Sequence, residues 1–199
     1  MYSLNIDKKG GREASFSSKG KWIIMSNITE KGIYYAKNEF YQLIRDVGGT
    51  WNDGKFRPLV ALIPSNEHPE IYWAIPMGDY DHRDDGAKKR IRSFLDRGPK
   101  DISSCFYHVG KTDKKTIFFI SDAVPITFKY IEREYFVGSG SNVRQYVIKN
   151  KALISELERK LGRIISFERD YLKSQGHPKF RQHMLSIHEK LLSEISQEI

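Results

Sequence analysis

The stretch Arg57-Pro58-Leu59-Val60-Ala61-Leu62-Ile63-Pro64-Ser65-Asn66-Glu67-His68-Pro69-Glu70-Ile71-Tyr72-Trp73-Ala74-Ile75-Pro76 decides the fold. Two apolar runs flank a segment of turn chemistry, residues 64–69, so the pattern predicts two strands that return on one another. Pro58 is tolerable because it stands at the first strand's start.

Working outward, Ile33-Tyr34-Tyr35-Ala36 suits a further strand, and Asn38 is placed to cap a short helix carrying Phe40, Tyr41, Leu43, Ile44 and Val47. Gly48-Gly49 stops it. On the other side, residues 76–85 are polar and irregular, and residues 87–97 predict a basic helix with Ile91, Phe94 and Leu95 inward. Strands are expected over 104–109 and 116–124, joined through Gly110-Lys111-Thr112-Asp113. Gly138-Ser139-Gly140-Ser141-Asn142 reads as a break with Asn142 as helix cap. Apolar spacings of three and four then predict one long helix over 143–175 and, after Gly176-His177-Pro178, a second over 179–197. Residues 1–32 carry little periodicity and read as a flexible extension. Residues 33–199 read as one domain, a strand-rich core over 33–137 holding a helical hairpin over 143–199.

The chain has 199 residues, enough to bury a core without staples. Hydrophobic residues are 39% and charged residues 29%, which suits a soluble globular protein. No apolar run approaches the roughly 20 residues of a bilayer span, and no secretory signal is recognisable at the start. A cytoplasmic location is the expectation. The single cysteine, Cys105, excludes an internal disulfide framework and a multi-cysteine metal site; in its apolar surroundings it reads as a buried small hydrophobe. Lys+Arg 33 against Asp+Glu 25 gives a net charge of +8, which favours polyanionic partners. The excess is concentrated: residues 33–80 balance at −2, residues 86–100 at +5 and residues 143–199 at +4. A solvated helix face explains such a run equally well.

Gly110-Lys111-Thr112 looks like the tail of a phosphate-binding loop, but that motif needs a glycine where Cys105 stands. His177, His183 and His188 are spaced by six and five, which does not bring them onto one helical face as metal ligands. No metal and no cofactor is expected. Residues 76–85 are the most reactive-looking stretch, with carboxylates, a phenol, an imidazole and a guanidinium at the end of an apolar strand. Cleavage of RNA through its 2′-hydroxyl needs a base, an acid for the departing 5′-oxygen, and cations for the phosphorane charge. His82 can act as acid or base near neutral pH. Asp79 or Asp81 can orient it, and Arg57 or Arg83 can hold the phosphate. A polar turn with a helix-capping aspartate accounts for the same residues. Tyr34, Tyr35, Tyr72, Trp73 and Tyr80 can stack on splayed bases, although strand alternation sends about half of such rings into the core.

The order of segments resembles the ToxN/AbiQ family of endoribonuclease toxins, including its TenpN-type relatives, from type III toxin–antitoxin systems. The matches are Ile33-Tyr34-Tyr35 before a short helix, Arg57-Pro58-Leu59-Val60-Ala61-Leu62, Ile71-Tyr72-Trp73-Ala74-Ile75-Pro76, Ser104-Cys105-Phe106, Ile117-Phe118-Phe119-Ile120 with Ala123-Val124-Pro125-Ile126, and the helical stretch 146–161. Together they cover about residues 33–175. The resemblance implies an α+β fold with a PemK/MazF-like small β-barrel and appended helices. It also implies metal-independent cleavage of single-stranded mRNA to cyclic 2′,3′-phosphate ends, a role in phage defence, and neutralisation by an antitoxin RNA with pseudoknot-like repeats in a ring-shaped assembly. No membrane partner is implied. The family's basic residue at the first strand falls on Arg57. Its hydroxyl-bearing pair falls on Gly78 and Asp79, which is a departure, and its next lysine has no fixed counterpart among His82, Arg83, Lys88 and Lys89. The expected catalytic residues are therefore Arg57, Asp79 and His82. The expected RNA-binding residues are Tyr34, Lys55, Tyr80, Arg83, Lys88, Lys89, Arg90, Arg92 and Lys111. Two other readings fit the same chain: a nucleic-acid-binding regulator without chemistry, and a protein-targeting toxin on the same barrel.

Overall fold

The computed structural model describes residues 27–52 and 57–197 together with the strand backbones of 13–16 and 22–25; Lys55 lies outside the described residues. Within the expected extension, β1 (Glu13–Phe16) pairs antiparallel with β2 (Trp22–Met25), Glu13 opposite Met25. The body begins before residue 33. Ile28 is buried, and the backbone of Lys31 donates to Ala61 and accepts from Ile148.

A mostly antiparallel sheet of seven strands carries the body. Its path runs β6 (Tyr107–Lys111), β7 (Lys115–Phe119), β5 (Tyr72–Asp79), β4 (Leu59–Pro64), β3 (Ile33–Ala36), β9 (Ile131–Glu134). The two apolar runs that flank the turn form the β4–β5 pair, with Val60 opposite Ile75. Residues 116–124 do not form the single strand expected. A three-ten turn at Ile120–Asp122 splits them, and β8 (Val124–Ile126) pairs with the first half of β5 while β7 pairs with its last residues. Residues 102–105 are likewise a three-ten turn, because Asp101 accepts from the Ser103 N–H and bends the chain before β6.

No closed barrel is present among the described residues. The sheet is bent instead, so that elements from its opposite edges meet by side chains: the Tyr135 hydroxyl, just after β9, donates to Asp113 Oδ2, in the β6–β7 turn, at 3.0 Å.

Strand alternation divides the core between the two faces of the sheet. Val60, Leu62, Trp73 and Ile75 pack under α3 (Lys151–Gln175), whose Leu157, Leu161 and Ile164 are fully buried. Leu59, Ala61, Ala74 and Ile126 pack against α1 (Asn38–Asp46) and α4 (Met184–Gln197). Each fully buried leucine or isoleucine contributes about 1.5–3 kcal/mol. A third cluster, Tyr80, Ile91, Ile117 and Phe119, lies beneath α2 (Asp85–Leu95).

Outside α2, three helix starts differ from expectation. Asn38 lies inside α1, preceded by Lys37 without a side-chain cap. The long helix starts at Lys151 rather than 143, because Gly32 bridges Val147 in sheet fashion and Asn150, not Asn142, accepts the Leu153 N–H as cap. Gly176, at φ +73°, ends it in the left-handed conformation. The last helix starts at Met184 rather than 179, because the N–H groups of Lys179 and Phe180 are held by the Glu168 carboxylate. Short hairpin strands β10 (Phe136–Val137) and β11 (Arg144–Gln145) complete the element list. Among the described residues no helix is long and apolar enough to cross a membrane.

Candidate functional site

A cleft of about 320 Å³ opens where the last residues of β5 meet the β6–β7 turn, lined by Arg57, Gly78, Asp79, Arg83, Asp113, Lys114, Thr116, Tyr35 and Tyr135. Three of the chemical residues expected from sequence, Arg57, Asp79 and Arg83, are brought together here. Arg57 stands two residues before the first residue of β4 and Asp79 ends β5, and the antiparallel β4–β5 pairing places those two ends side by side.

Phe119 of β7 is the floor of the cationic end. The Arg57 guanidinium carbon stands 4.4 Å from its ring centroid and that of Arg83 5.0 Å. Gly78 lies beside them. A Cβ there would sit 3.0 Å from Arg83 Nη2, so the missing side chain leaves that space to the guanidinium. Arg57 and Arg181 share the Asp122 carboxylate at 3.9 and 3.1 Å. Burial lowers the Arg57 pKa most; Asp122 pulls it back up, while Arg83 and Arg181 push it further down. Guanidiniums thus crowd one carboxylate in a partly buried place, an arrangement that an added anion relieves.

Asp79 ends β5 by accepting the N–H groups of Asp81 at 2.9 Å and His82 at 3.3 Å, a local turn. Its other oxygen lies 3.2 Å from Lys114 Nζ and 3.4 Å from His82 Nδ1. Desolvation raises the Asp79 carboxyl, but the Lys114 ammonium and the two backbone N–H groups outweigh it and hold it below the usual range. The His82 side chain is 85% exposed, so the imidazole stands at the rim. Asp84, rather than Asp79, is the helix cap: it accepts from the Ala87 N–H at 2.7 Å, and this starts α2 two residues earlier than the basic run suggests.

The expected RNA-binding residues separate into groups. Tyr34 is 1% exposed, and its hydroxyl accepts from the Thr29 N–H at 2.8 Å, so it is a core residue and not a stacking platform. The opposite side of β3 presents Tyr35 to the cleft, with the Arg133 guanidinium 3.8 Å from its ring centroid. Tyr80 is also buried, with Lys115 4.8 Å and Lys88 6.0 Å from its ring centroid, which corrects the stacking expectation for it as well. Lys88 Nζ donates to the Asp81 carbonyl at 3.1 Å and so holds the loop. Interaction with the Tyr80 hydroxyl raises the Arg92 guanidinium. Lys89 and Arg90 are exposed on α2, and Lys111 is exposed at the end of β6.

Lys114, Asp113 and Tyr135 were not legible as site residues. Asp113 belongs to the plain connection expected over residues 110–113 and Lys114 follows it; their placement depends on the β5–β7 register, which sets Asp79 opposite Thr116. Tyr135 donates to Asp113; burial first, then that hydrogen bond, pushes its phenol up to about 12, so it stays protonated at working pH. Among the described residues no group of three His, Cys, Asp or Glu side chains is placed to hold a metal ion. No known protein family and no curated protein matches this chain.

Proposed function

We propose that the chain is an endoribonuclease that cleaves single-stranded RNA by attack of a 2′-hydroxyl on the adjacent phosphate, leaving a cyclic 2′,3′-phosphate and a 5′-hydroxyl. The observation that carries this reading is a single cleft lined by the guanidiniums of Arg57 and Arg83, both on the Phe119 ring, and by Asp79 and Lys114, with His82 paired to Asp79 at the rim. The two arginines bind the scissile phosphate and stabilise the charge that grows on the phosphorane. His82 and Lys114, both held by Asp79 Oδ2, are the proton-transfer groups: the imidazole takes the 2′-hydroxyl proton and the ammonium supplies one to the departing 5′-oxygen. Asp79, kept ionised below the usual range, orients both and is not itself the base. In this reading Lys114 fills the place of the lysine that the ToxN/AbiQ resemblance leaves without a counterpart, reaching the cleft from the neighbouring hairpin.

The same reading takes the bent, open sheet as a PemK/MazF-like scaffold. The exposed Lys89 and Arg90 beside the cleft then track phosphates of the substrate or of a structured antitoxin RNA with repeats, in a ring-shaped assembly as the resemblance implies. The test is incubation of purified protein with mixed-sequence RNA in EDTA, followed by end-group analysis. Cyclic 2′,3′-phosphate ends, lost in Arg57→Ala and reduced in His82→Ala, support the reading. RNA that stays whole while bound to the protein overturns it in favour of a binding module.

A further inference from the structure

The cleft is also lined by residues that the proposed phosphate chemistry does not use. Tyr35 and Tyr135 stand with ring centroids 6.2 Å apart and planes tilted by 41°, and Asp113 lies beside them. The Tyr135 hydroxyl donates to Asp113 Oδ2 at 3.0 Å, and the Thr112 hydroxyl donates to Asp113 Oδ1 at 2.9 Å. A carboxylate accepts at about four lone-pair positions, so each oxygen, engaged once, keeps one more for an incoming donor. The phenol and the threonine fix the direction in which those positions point. Two tyrosine rings, one of them backed by the Arg133 guanidinium, beside an aimed acceptor line the same cleft as the Arg57 and Arg83 guanidiniums, a set that suits a nucleotide: base by the tyrosines, phosphate by the arginines.

We infer that Tyr35, Asp113 and Tyr135 form a nucleobase subsite that selects bases bearing an amino group over uracil. Adenine, cytosine and guanine each offer an exocyclic N–H donor to the carboxylate. Uracil has no exocyclic amino group and offers only its ring N3–H, flanked on both sides by carbonyl oxygens that an acceptor-only side chain repels. The inference rests on the RNA-cleaving reading and adds base selection to it. The bond between Asp113 and Tyr135 also ties together the two edges of the bent sheet, and the choice of variant separates that structural duty from recognition. Asp113→Asn keeps an oxygen for the Tyr135 hydroxyl but turns one acceptor into a donor.

The experiment maps cleavage of an RNA containing every dinucleotide, in EDTA. The parent is expected to cut beside adenine, cytosine or guanine about tenfold or more over uracil, and D113N is expected to bring uracil sites level or above the others. An unchanged map in D113N overturns the inference. Should D113N fail to melt cooperatively, Tyr135→Phe withdraws the phenol that aims the carboxylate: a flattened map supports the subsite and the parental map overturns it. If the parent leaves all RNA whole, the cleavage reading fails on its own. The subsite is then judged by binding of 2′-O-methyl oligo-A, oligo-C and oligo-U. Preference for A and C over U that D113N loses supports it; equal affinity of the parent for all three overturns it.

Discussion

Two lysines, one in α3 and one in the β6–β7 turn, show how the molecule treats charge. Lys160 of α3 is 7% exposed and donates to the carbonyls of Ser104 at 3.0 Å and Tyr107 at 2.9 Å. Lys114 at the cleft is 49% exposed and touches the Asp79 carboxylate, which also faces His82. The same contrast separates whole regions. Beneath the C-terminal helices, Glu168 takes the backbone N–H groups of Lys179 and Phe180, and His188 is 2.7 Å from the Ser65 hydroxyl and stacks on Trp73. Those polar groups are inside and directed at neighbouring protein atoms, which is the pattern of parts that hold a structure. At the cleft, guanidiniums crowd one another and an imidazole stands in solvent, which is the pattern of parts that await a ligand.

The contrast predicts that changes at the cleft alter activity while changes under the helices alter stability. Arg57→Ala should lower the cleavage rate by about 10²–10³-fold, with the melting temperature moved by a few degrees at most. Equal loss of both would place Arg57 with the structural group. Leu161→Ala, in the fully buried stripe of α3, should cost about 3 kcal/mol in denaturant unfolding while the rate per folded molecule stays at the parental value. Lys160→Met should cost about 2 kcal/mol, because it leaves two carbonyls without their donor, again without a change in rate.

Titration sharpens the same line. Burial lowers the His188 pKa below its ordinary 6.5; Glu67 opposes the shift and Arg169 adds to it. Burial, then Lys160, lowers His108 in the same direction. An imidazole with a depressed folded-state pKa binds fewer protons than it does in the unfolded chain. Its stability contribution is therefore complete above 6.5 and is lost as the pH falls from there toward the folded-state value. Glu168, raised by burial against the pull of its backbone donors, acts with the opposite sign: its contribution is largest below 4.5 and fades as the pH rises through its raised value. His188→Gln should flatten the decline in melting temperature between about pH 7 and 5. The parental slope in that variant would remove His188 from the account. At the rim, charge reversal at Lys89 and Arg90 should raise KM by about threefold at moderate salt and leave kcat unchanged; a lost kcat would move these residues into the reaction.

Much of this arrangement is visible in the residues themselves, and the rest depends on distant pairing. The β4 and β5 runs are legible because they are apolar on both faces, and the structure covers both faces with helices. The basic helix is legible from its charge and from Ile91, although its start is set by Asp84. Arg57, Asp79 and Arg83 are legible as reactive types at strand ends. Alternation says that one of Tyr34 and Tyr35 turns inward, but which one depends on where α1 packs. The helix expected from 143 starts at 151 because Val147 and Ile148 are drawn to residues 31 and 32, more than a hundred positions away. Lys114, Asp113 and Tyr135 meet because the sheet bends, which no local pattern records.

The central claim is that the cleft performs 2′-hydroxyl chemistry on RNA. The most direct test compares one cleaved RNA with the same strand carrying a single 2′-deoxy nucleotide at the scissile position. The account predicts cleavage of the first to a cyclic 2′,3′-phosphate and none at that site in the second. Cleavage of both strands at that position, or fragments ending in a free 3′-hydroxyl, would contradict it.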